Sequence, residues 1–570
     1  MSGLHAADIV VLGFYLVGIA AIGVWSGRKI KRSADFFMPR RFGKLMMVMF
    51  SFGAGTHSDQ AVGVASKSYA SGLSGIWYQW LWLPVTPFYW LIAPVMRRFR
   101  AITTADVFEA RYNRSVAVLY AVIGMLNLAV NIGLMLRGSS EVIAAGTGGL
   151  LSAELAIALM TVIFVLYGVA GGLAAAIITD FIQGVLTIVF SFLLLPLIMN
   201  AVGGMSGIRE AIAEPGKLSL VAPAEIGFFY IAIIALNGLV GIVVQPHTMG
   251  NCAAGKTEME GRVGFMFGNL TKRICTIPWC LTGVAAIVYF ARAGRSVEPD
   301  SVFGAVAGEF LPKVLPGMLG VFIAALLASV MSSCDAFMIS SSALFTENIY
   351  RPLRPERKEG HYILVGRIAA VAVVSGGVVF AYWLPGVVAG LEIFWKISAM
   401  MGLAFWLGLF WRRATVGGAW AATLVSFGVW LATSRIAIAG HVLWDFNSHV
   451  GPHLPSFMAW QGGLYLPWQM VLYLSAGLVA GIVVSLLTPP VAADKLEHFY
   501  ALVRTPVRPG EQVDTACTLP EGAVTPARRN LFPNTRLEIP VPGRVAVTGF
   551  LVGWACVALL VSAVYYVARM

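Results

Sequence analysis

The sequence predicts an all-α protein that crosses the bilayer many times and is built as an inverted repeat. Three observations carry that prediction. Hydrophobic residues fill 58% of the 570 positions and charged residues 12%, with a mean hydropathy of +0.79, more apolar surface than a soluble core needs. Apolar windows of about 20 residues, long enough to span hydrocarbon, recur roughly fourteen times. Two of these windows, five apart, are interrupted by glycine and polar residues.

The windows run near 5–27, 43–70, 74–96, 115–137, 152–170, 176–200, 226–249, 262–292, 317–349, 361–384, 389–410, 415–435, 467–487 and 545–567. The first lacks a preceding basic segment and is followed by a basic cluster, so it reads as a retained helix and not a cleaved signal. The sixth opens at Asp180, where a carboxylate at a helix N-terminus would suit the helix dipole. The ninth carries Ser332, Ser333 and Asp335 near its middle. Hydroxyls and a carboxylate at that depth are costly unless they face a partner helix or an aqueous path. In the eleventh, Glu392 and Lys396 stand four apart, a spacing that usually satisfies itself; a Lys396 turned to a cavity would instead receive a carboxylate.

Residues 1–487 therefore form one transmembrane domain, with repeats at about 43–200 and 226–410. The stretch 488–543 is rich in proline and charge, is expected to be cytoplasmic, and holds a short amphipathic helix at 494–504 that would lie on the inner surface. It is too short for a catalytic or signalling domain. Residues 544–570 supply a final transmembrane helix.

Every second loop is basic. Arg28, Lys29, Lys31, Arg32, Arg40, Arg41 and Lys44 follow the first window, Arg97, Arg98, Arg100, Arg111 and Arg114 the third, and Arg351, Arg354, Arg357 and Lys358 the ninth. Placing these loops inside puts the N-terminus outside and, with an even number of spans, the C-terminus outside as well. Those loops account for most of the net charge of +12, so it is no nucleic-acid footprint.

The interrupted windows are the second, at 51–63 (SFGAGTHSDQAVG), and the seventh, at 237–241 (NGLVG) followed by Gln245, Pro246 and His247. Five windows apart means opposite orientation. Paired broken helices in two halves point to an inverted-repeat transporter with its site at the breaks. Glycines that merely let membrane helices pack closely are the competing reading.

Six cysteines are scattered without a CxxC pair and carry no redox or zinc signal. His441, His449 and His453 lie on one outer loop, but Gly451 and Pro452 interrupt any helical pairing, and no metal site is expected there. His57 and His247, each at a broken segment, read either as protonatable gates or as caps for freed backbone groups. Lys67 is expected to snorkel to an interface.

Four stretches, 167–184, 244–262, 324–351 and 407–422, resemble the sodium:solute symporter family, which contains sodium/glucose, sodium/proline and sodium/sialic acid cotransporters. They occur in the family's order, and the resemblance reaches to about residue 510. It implies a leucine-transporter-like 5+5 core working by alternating access. It also implies a sodium site from the hydroxyls of Ser332 and Ser333 and backbone carbonyls at Gly53, Thr56 and a freed position near Ser329, with Asp180 on the ion's exit route. Oxygen is the ligand a hard cation prefers. Interhelical hydrogen bonding is the alternative for the serines. Asp59 and Asp335 flank that site and either tune it or pair with nearby polar groups.

For substrate the resemblance points to Gln60, Gln79 and Asn237. The match is partial, because Gln79 stands where a sugar transporter carries an acid and Gly55 replaces an amide. Amides beside Trp77 and Trp80 suit a sugar or polyol. The Gln-Pro-His at 245–247 resembles the proline branch and keeps amino acids and sugar acids in play, while Trp82 and Trp90 read as packing. The expectation is a sodium-coupled symporter of a small polar solute, with no cofactor beyond the transported ion. A passive channel on the same scaffold, a receptor and a membrane enzyme are the other classes; the last lacks any convincing catalytic set.

Overall fold

The computed structural model describes residues 5–27, 37–222, 225–384, 386–438, 441–511, 513 and 515–569, so the basic cluster at 28–32 lies outside the described residues. Helix α1 (Ala6–Gly27) precedes a broken helix whose halves are α2 (Lys44–Gly53) and α3 (Ser58–Ser71). Beyond it come α4 (Thr86–Arg98), α5 (Arg114–Gly146) and α6 (Ala153–Leu193), with α7 (Leu195–Val202) continuing from α6. A second broken helix follows as α8 (Phe228–Ile242) and α9 (Pro246–Ala253), bent by 71°. Then come α10 (Glu258–Arg292), α11 (Met318–Phe345), α12 (Glu359–Trp383), α13 (Val387–Phe410), α14 (Val416–Ala432) and α15 (Leu466–Leu487). Between α14 and α15 a small antiparallel hairpin pairs β1 (Arg435–Ile438) with β2 (His441–Asp445). Two helices end the chain, α16 (Ala493–Arg504) and α17 (Arg544–Arg569).

Among the described residues eight helices are long and apolar enough to cross a membrane, or nine if the bent pair counts as one span. The shortfall from fourteen windows has local causes. The second window is split into α2 and α3 by its glycines. The third falls on a 3-10 turn (Gly72–Ile76), a single turn of helix (Trp77–Trp80) and the 13 residues of α4. The fifth and sixth windows share one helical run, α6, in place of two helices with a loop between them. Asp180 therefore sits well inside a helix, which removes the reading of a carboxylate at a helix N-terminus.

Proline explains the second break, since Pro246 has no N–H to lose and its fixed φ suits the first turn of α9. Close packing accounts for other glycines. A methyl on Gly402 would meet the Val240 carbonyl oxygen at 2.0 Å, so α13 and α8 touch backbone to backbone there.

Helix α16 forms where the sequence placed it, but its apolar residues Leu496, Phe499, Tyr500 and Leu502 are buried in protein and not laid on lipid. Phe499 stacks on Phe99 with ring centres 5.5 Å apart, and the Tyr500 hydroxyl donates to the Gly408 carbonyl at 2.9 Å. The loop arginines are spent on the same contact. Arg98 donates to both oxygens of Glu258 and to the Val503 carbonyl, Arg100 to both oxygens of Glu511, and Arg412 to Glu497 and Glu538. The 488–543 segment thus straps the ends of α4, α10 and α13 together. Burial alone would push the Glu511 carboxyl up, but hydrogen bonds from Arg100 and the Arg508 amide hold it below its ordinary value. The final helix α17 leans on α4, where Trp90 donates to the Val545 carbonyl at 2.9 Å.

Candidate functional site

The first break spans residues 54–57, between the end of the apolar helix α2 at Gly53 and the polar first turn of α3. Ala54 N–H still reaches the Phe50 carbonyl at 2.8 Å, but Thr56 N–H turns back to Gly53 O at 3.2 Å and His57 is fully extended (φ −128°, ψ 161°). The backbone there leaves the helical ladder, so its carbonyls are open to other donors.

Two such carbonyls point in different directions. The Gly53 carbonyl accepts from the Ser333 hydroxyl of α11 at 3.0 Å. Beside it the Ser332 hydroxyl donates to Asp180 Oδ1 of α6 at 2.5 Å, and Asp180 Oδ2 has no hydrogen-bond partner among the described residues. A methyl on Gly53 would lie 2.6 Å from Ser332 Oγ and in ordinary contact, 3.6 Å, with Asp180 Cβ, so the missing side chain lets α2 lie close to the hydroxyls of α11. Gly53, Ser332, Ser333 and Asp180 thus form one buried oxygen cluster. Thr56 is also buried and its hydroxyl lacks a partner, though no bond joins it to the serines among the described residues. Ser329 is placed differently: its hydroxyl donates to Leu326 O at 2.8 Å in its own helix, and α11 is unbroken there, so no carbonyl is freed by a kink.

The Gly55 carbonyl faces the other way, into a cavity. Residues from both broken helices line it, among them Gln60 and Gln245, together with Gln79, Trp82, Lys272, Arg273, Phe337 and Trp395. The two breaks therefore meet at one place, as Phe337 of α11 records by lying 6.1 Å from the His57 ring and 4.9 Å from that of His247.

Of the expected substrate contacts, Gln60 and Gln79 line the cavity and Asn237 does not. Gln60 donates to Gly55 O at 3.1 Å and leaves its own Oε1 without a partner. Asn237 is consumed elsewhere, donating to Trp395 O at 2.9 Å and accepting from the Tyr473 hydroxyl at 2.5 Å. The tryptophans exchange roles. Trp77 and Trp80 spend their indole N–H groups on the carbonyls of Leu220 and Arg273, whereas Trp82, expected as packing, lines the cavity.

Other expectations resolve in the same terms. His57 bonds Asp59 through Nδ1 and does not cap α3 with its side chain. Glu392 accepts from the Tyr78 hydroxyl at 3.1 Å, and among the described residues no ion pair joins it to Lys396. Lys67 pairs with Glu225. No cluster of three or more His, Cys, Asp or Glu converges among the described residues, and His449 instead bonds the Asp445 carbonyl at 2.7 Å.

Lys272 and Arg273, on α10, are functional candidates that the sequence reading passed over. The Lys272 ammonium donates to Gly55 O, at the break itself. Arg273 donates to the Gln79 backbone carbonyl at 2.8 Å and to Gln79 Oε1 at 3.3 Å, which fixes that amide in the wall. The signal was present: two adjacent cations in the middle of an apolar window are as costly as the hydroxyls of α11.

Known proteins share both sequence and fold. The chain is 26% identical over 463 residues to the sodium/pantothenate symporter of Escherichia coli, covering 76% of this chain and 92% of that protein. It is 26% identical to the osmoregulated proline transporter of Bacillus subtilis over 76% of this chain and 90% of that one, and 26% identical to the rabbit (Oryctolagus cuniculus) sodium/myo-inositol cotransporter 2 over 91% and 82%. The solved structure of a Na+-coupled sialic acid symporter superposes with a TM-score of 0.69 at 20% identity, covering 85% of this chain and 99% of that one. A profile of the sodium:solute symporter family matches residues 36–426. With most of its length accounted for in this way, and its two helix breaks closed around a cavity and an oxygen cluster, the chain belongs to the sodium:solute symporter family, a family of membrane transporters.

Proposed function

We propose that the chain is a sodium-coupled secondary active symporter that imports a small polar organic solute by alternating access. Its frame is a leucine-transporter-like 5+5 inverted repeat of about 14 spans, with both termini outside. One observation carries the reading. The break at 54–57 presents Gly53 O to the hydroxyl helix on one side and Gly55 O to the cavity on the other.

Sodium is the cargo at Gly53, Ser332, Ser333 and Asp180, with Thr56 next in line and Ser329 more remote. A buried carboxylate oxygen without a partner is costly until a cation arrives, which favours ion entry. When the ion draws on the oxygens of Ser332, Ser333 and Gly53, the bonds that now join them rearrange, and the break moves with them. The solute sits across the same four residues, against Gln60 and Gln79. Sodium then favours the substrate-ready state because it binds that state better, and the linkage runs equally in reverse.

The amides of Gln60 and Gln79 suit a hydroxylated solute, a sugar or polyol, while the cations of α10 favour a sugar acid or amino acid. The relatives, named for pantothenate, proline and myo-inositol, span both. The test is uptake into proteoliposomes under an inward sodium gradient. A symporter raises the internal solute above the external level and stops doing so when sodium is equal on both sides. A passive facilitator never exceeds the external level, and that result would end the proposal.

A further inference from the structure

We infer that the cavity is built for an organic anion, with the Lys272 ammonium as the anchor for its carboxylate; this rests on the symporter reading above. Lys272 and Arg273 both line the cavity, and among the described residues no Asp or Glu does. Asp59, one buried carboxylate beside the cavity residue His57, is not among the lining residues; its Oδ1 is bound to His57 and its Oδ2 has no partner among the described residues. One carboxylate cannot balance two cations, and the guanidinium of Arg273 keeps its charge at any working pH.

The hydrogen-bond inventory agrees with the charge. An ammonium has three protons, and Lys272 gives one to Gly55 O; the other two find no acceptor among the described residues. Arg273 Nε, Gln245 Nε2 and Trp395 Nε1, all in the cavity wall, are buried donors without partners among the described residues. A site with surplus donors leaves them unpaired when it holds a neutral solute and satisfies them when it holds a carboxylate. Gln60 Oε1 and Asn251 Oδ1 are the wall's unpartnered acceptors among the described residues, with Ser51 Oγ and His247 Nδ1 able to serve either way, so donors still outnumber acceptors and the acceptors suit a hydroxyl or amide N–H on the same molecule. The solute is therefore a small monocarboxylate bearing at least one such donor.

Arg273 is a positioning residue here. Its bonds to Gln79 hold that amide in place, and its charge sets the potential that the anion meets. Lys272 also ties solute to ion. It grips Gly55, two residues from the Gly53 carbonyl, so a carboxylate that draws the ammonium away changes the donor set of the break that the ion shares.

The test is thermal stability of the purified full-length protein, in sodium and in potassium, with three matched pairs: gluconate and glucose, glycerate and glycerol, lactate and lactamide. In sodium, at least one acid is expected to raise the melting temperature while its neutral partner does not. Lys272→Met should weaken that acid by about 10-fold or more, and Lys272→Arg should retain the response. A neutral member that stabilises as well as its acid, or no response to any acid in a protein that sodium stabilises, would overturn the inference. If Lys272→Met does not fold, the paired comparison in the unmodified protein and in Lys272→Arg still decides. Absence of any sodium effect in the unmodified protein would instead strike the symporter reading.

Discussion

Asp180→Asn separates the charge of the oxygen cluster from its shape. The amide keeps an oxygen where the Ser332 hydroxyl now donates at 2.5 Å, so the contact between α6 and α11 survives. What disappears is a full negative charge beside the proposed ion. Two unit charges about 4 Å apart attract by about 4 kcal/mol at an effective dielectric of about 20. Part of that is offset, because the sodium-free protein no longer buries a carboxylate oxygen without a partner. The net loss therefore lies below about 4 kcal/mol, and a loss of about 10-fold or more in sodium affinity is expected. The two effects also predict a crossing. In sodium-free choline buffer the variant should melt at a higher temperature than the unmodified protein, and on titrating sodium the unmodified protein should overtake it. A half-saturating sodium concentration changed by less than about threefold, or a variant less stable in choline, would refute the assignment of Asp180 to the cluster.

Three further outcomes follow from the geometry. Gly53→Ala drives a methyl to 2.6 Å from Ser332 Oγ, so sodium stabilisation should be lost and stability should fall by about 1–3 kcal/mol, read from denaturation with and without sodium. Asn237→Ala strands the Trp395 carbonyl and the Tyr473 hydroxyl, which should cost about 1–3 kcal/mol of stability while the affinity for a transported solute stays within about threefold; a selective loss of solute affinity would restore Asn237 to the cavity. The strap should loosen in acid. The carboxyls of Glu497 and Glu511 are held below their ordinary values, chiefly by Arg412 for the first and by Arg100 against the effect of burial for the second. Their contribution is present above the unfolded value and is lost as pH falls through the lower folded value. Hydrogen exchange at residues 493–511 should therefore speed up in acid and stay slow near neutrality, with α5 unaffected.

The membrane class, the break at 51–63 and the hydroxyls of α11 were legible because each is a local violation. Glycine and charge inside an apolar window are expensive wherever the chain folds, so their presence signals a site before any contact is known. The partner of a polar group was not legible in the same way. Asn237 and Gln79 look alike as amides in apolar windows, yet one is saturated by α13 and α15 and the other faces the cavity, a difference set by packing between distant segments. The same holds for Trp80 and Trp82, two residues apart. Irregular helix turns between 72 and 86 shift which of them faces inward, and a helical period alone does not forecast that. Loop arginines were counted as signs of orientation, whereas Arg97, Arg100 and Arg111 are buried, and Arg100 reaches acceptors some 400 residues away in sequence.

Lys272 and Arg273 were missed for a different reason. The window at 262–292 reads as one apolar span, in which two cations are less conspicuous than the glycine breaks. The same cost argument that singled out Ser332 and Ser333 applies to them with greater force. Applied evenly, it would have marked the second wall of the cavity from the residues alone.

The most direct test of the ion site is a density map of the protein in sodium and in choline. In sodium, a feature at bonding distance from Gly53 O, Ser332 Oγ, Ser333 Oγ and an oxygen of Asp180 is expected, absent in choline, where the serines keep the bonds to Asp180 and Gly53 described above. A map in sodium with those two hydrogen bonds unchanged and the ion held elsewhere would contradict it.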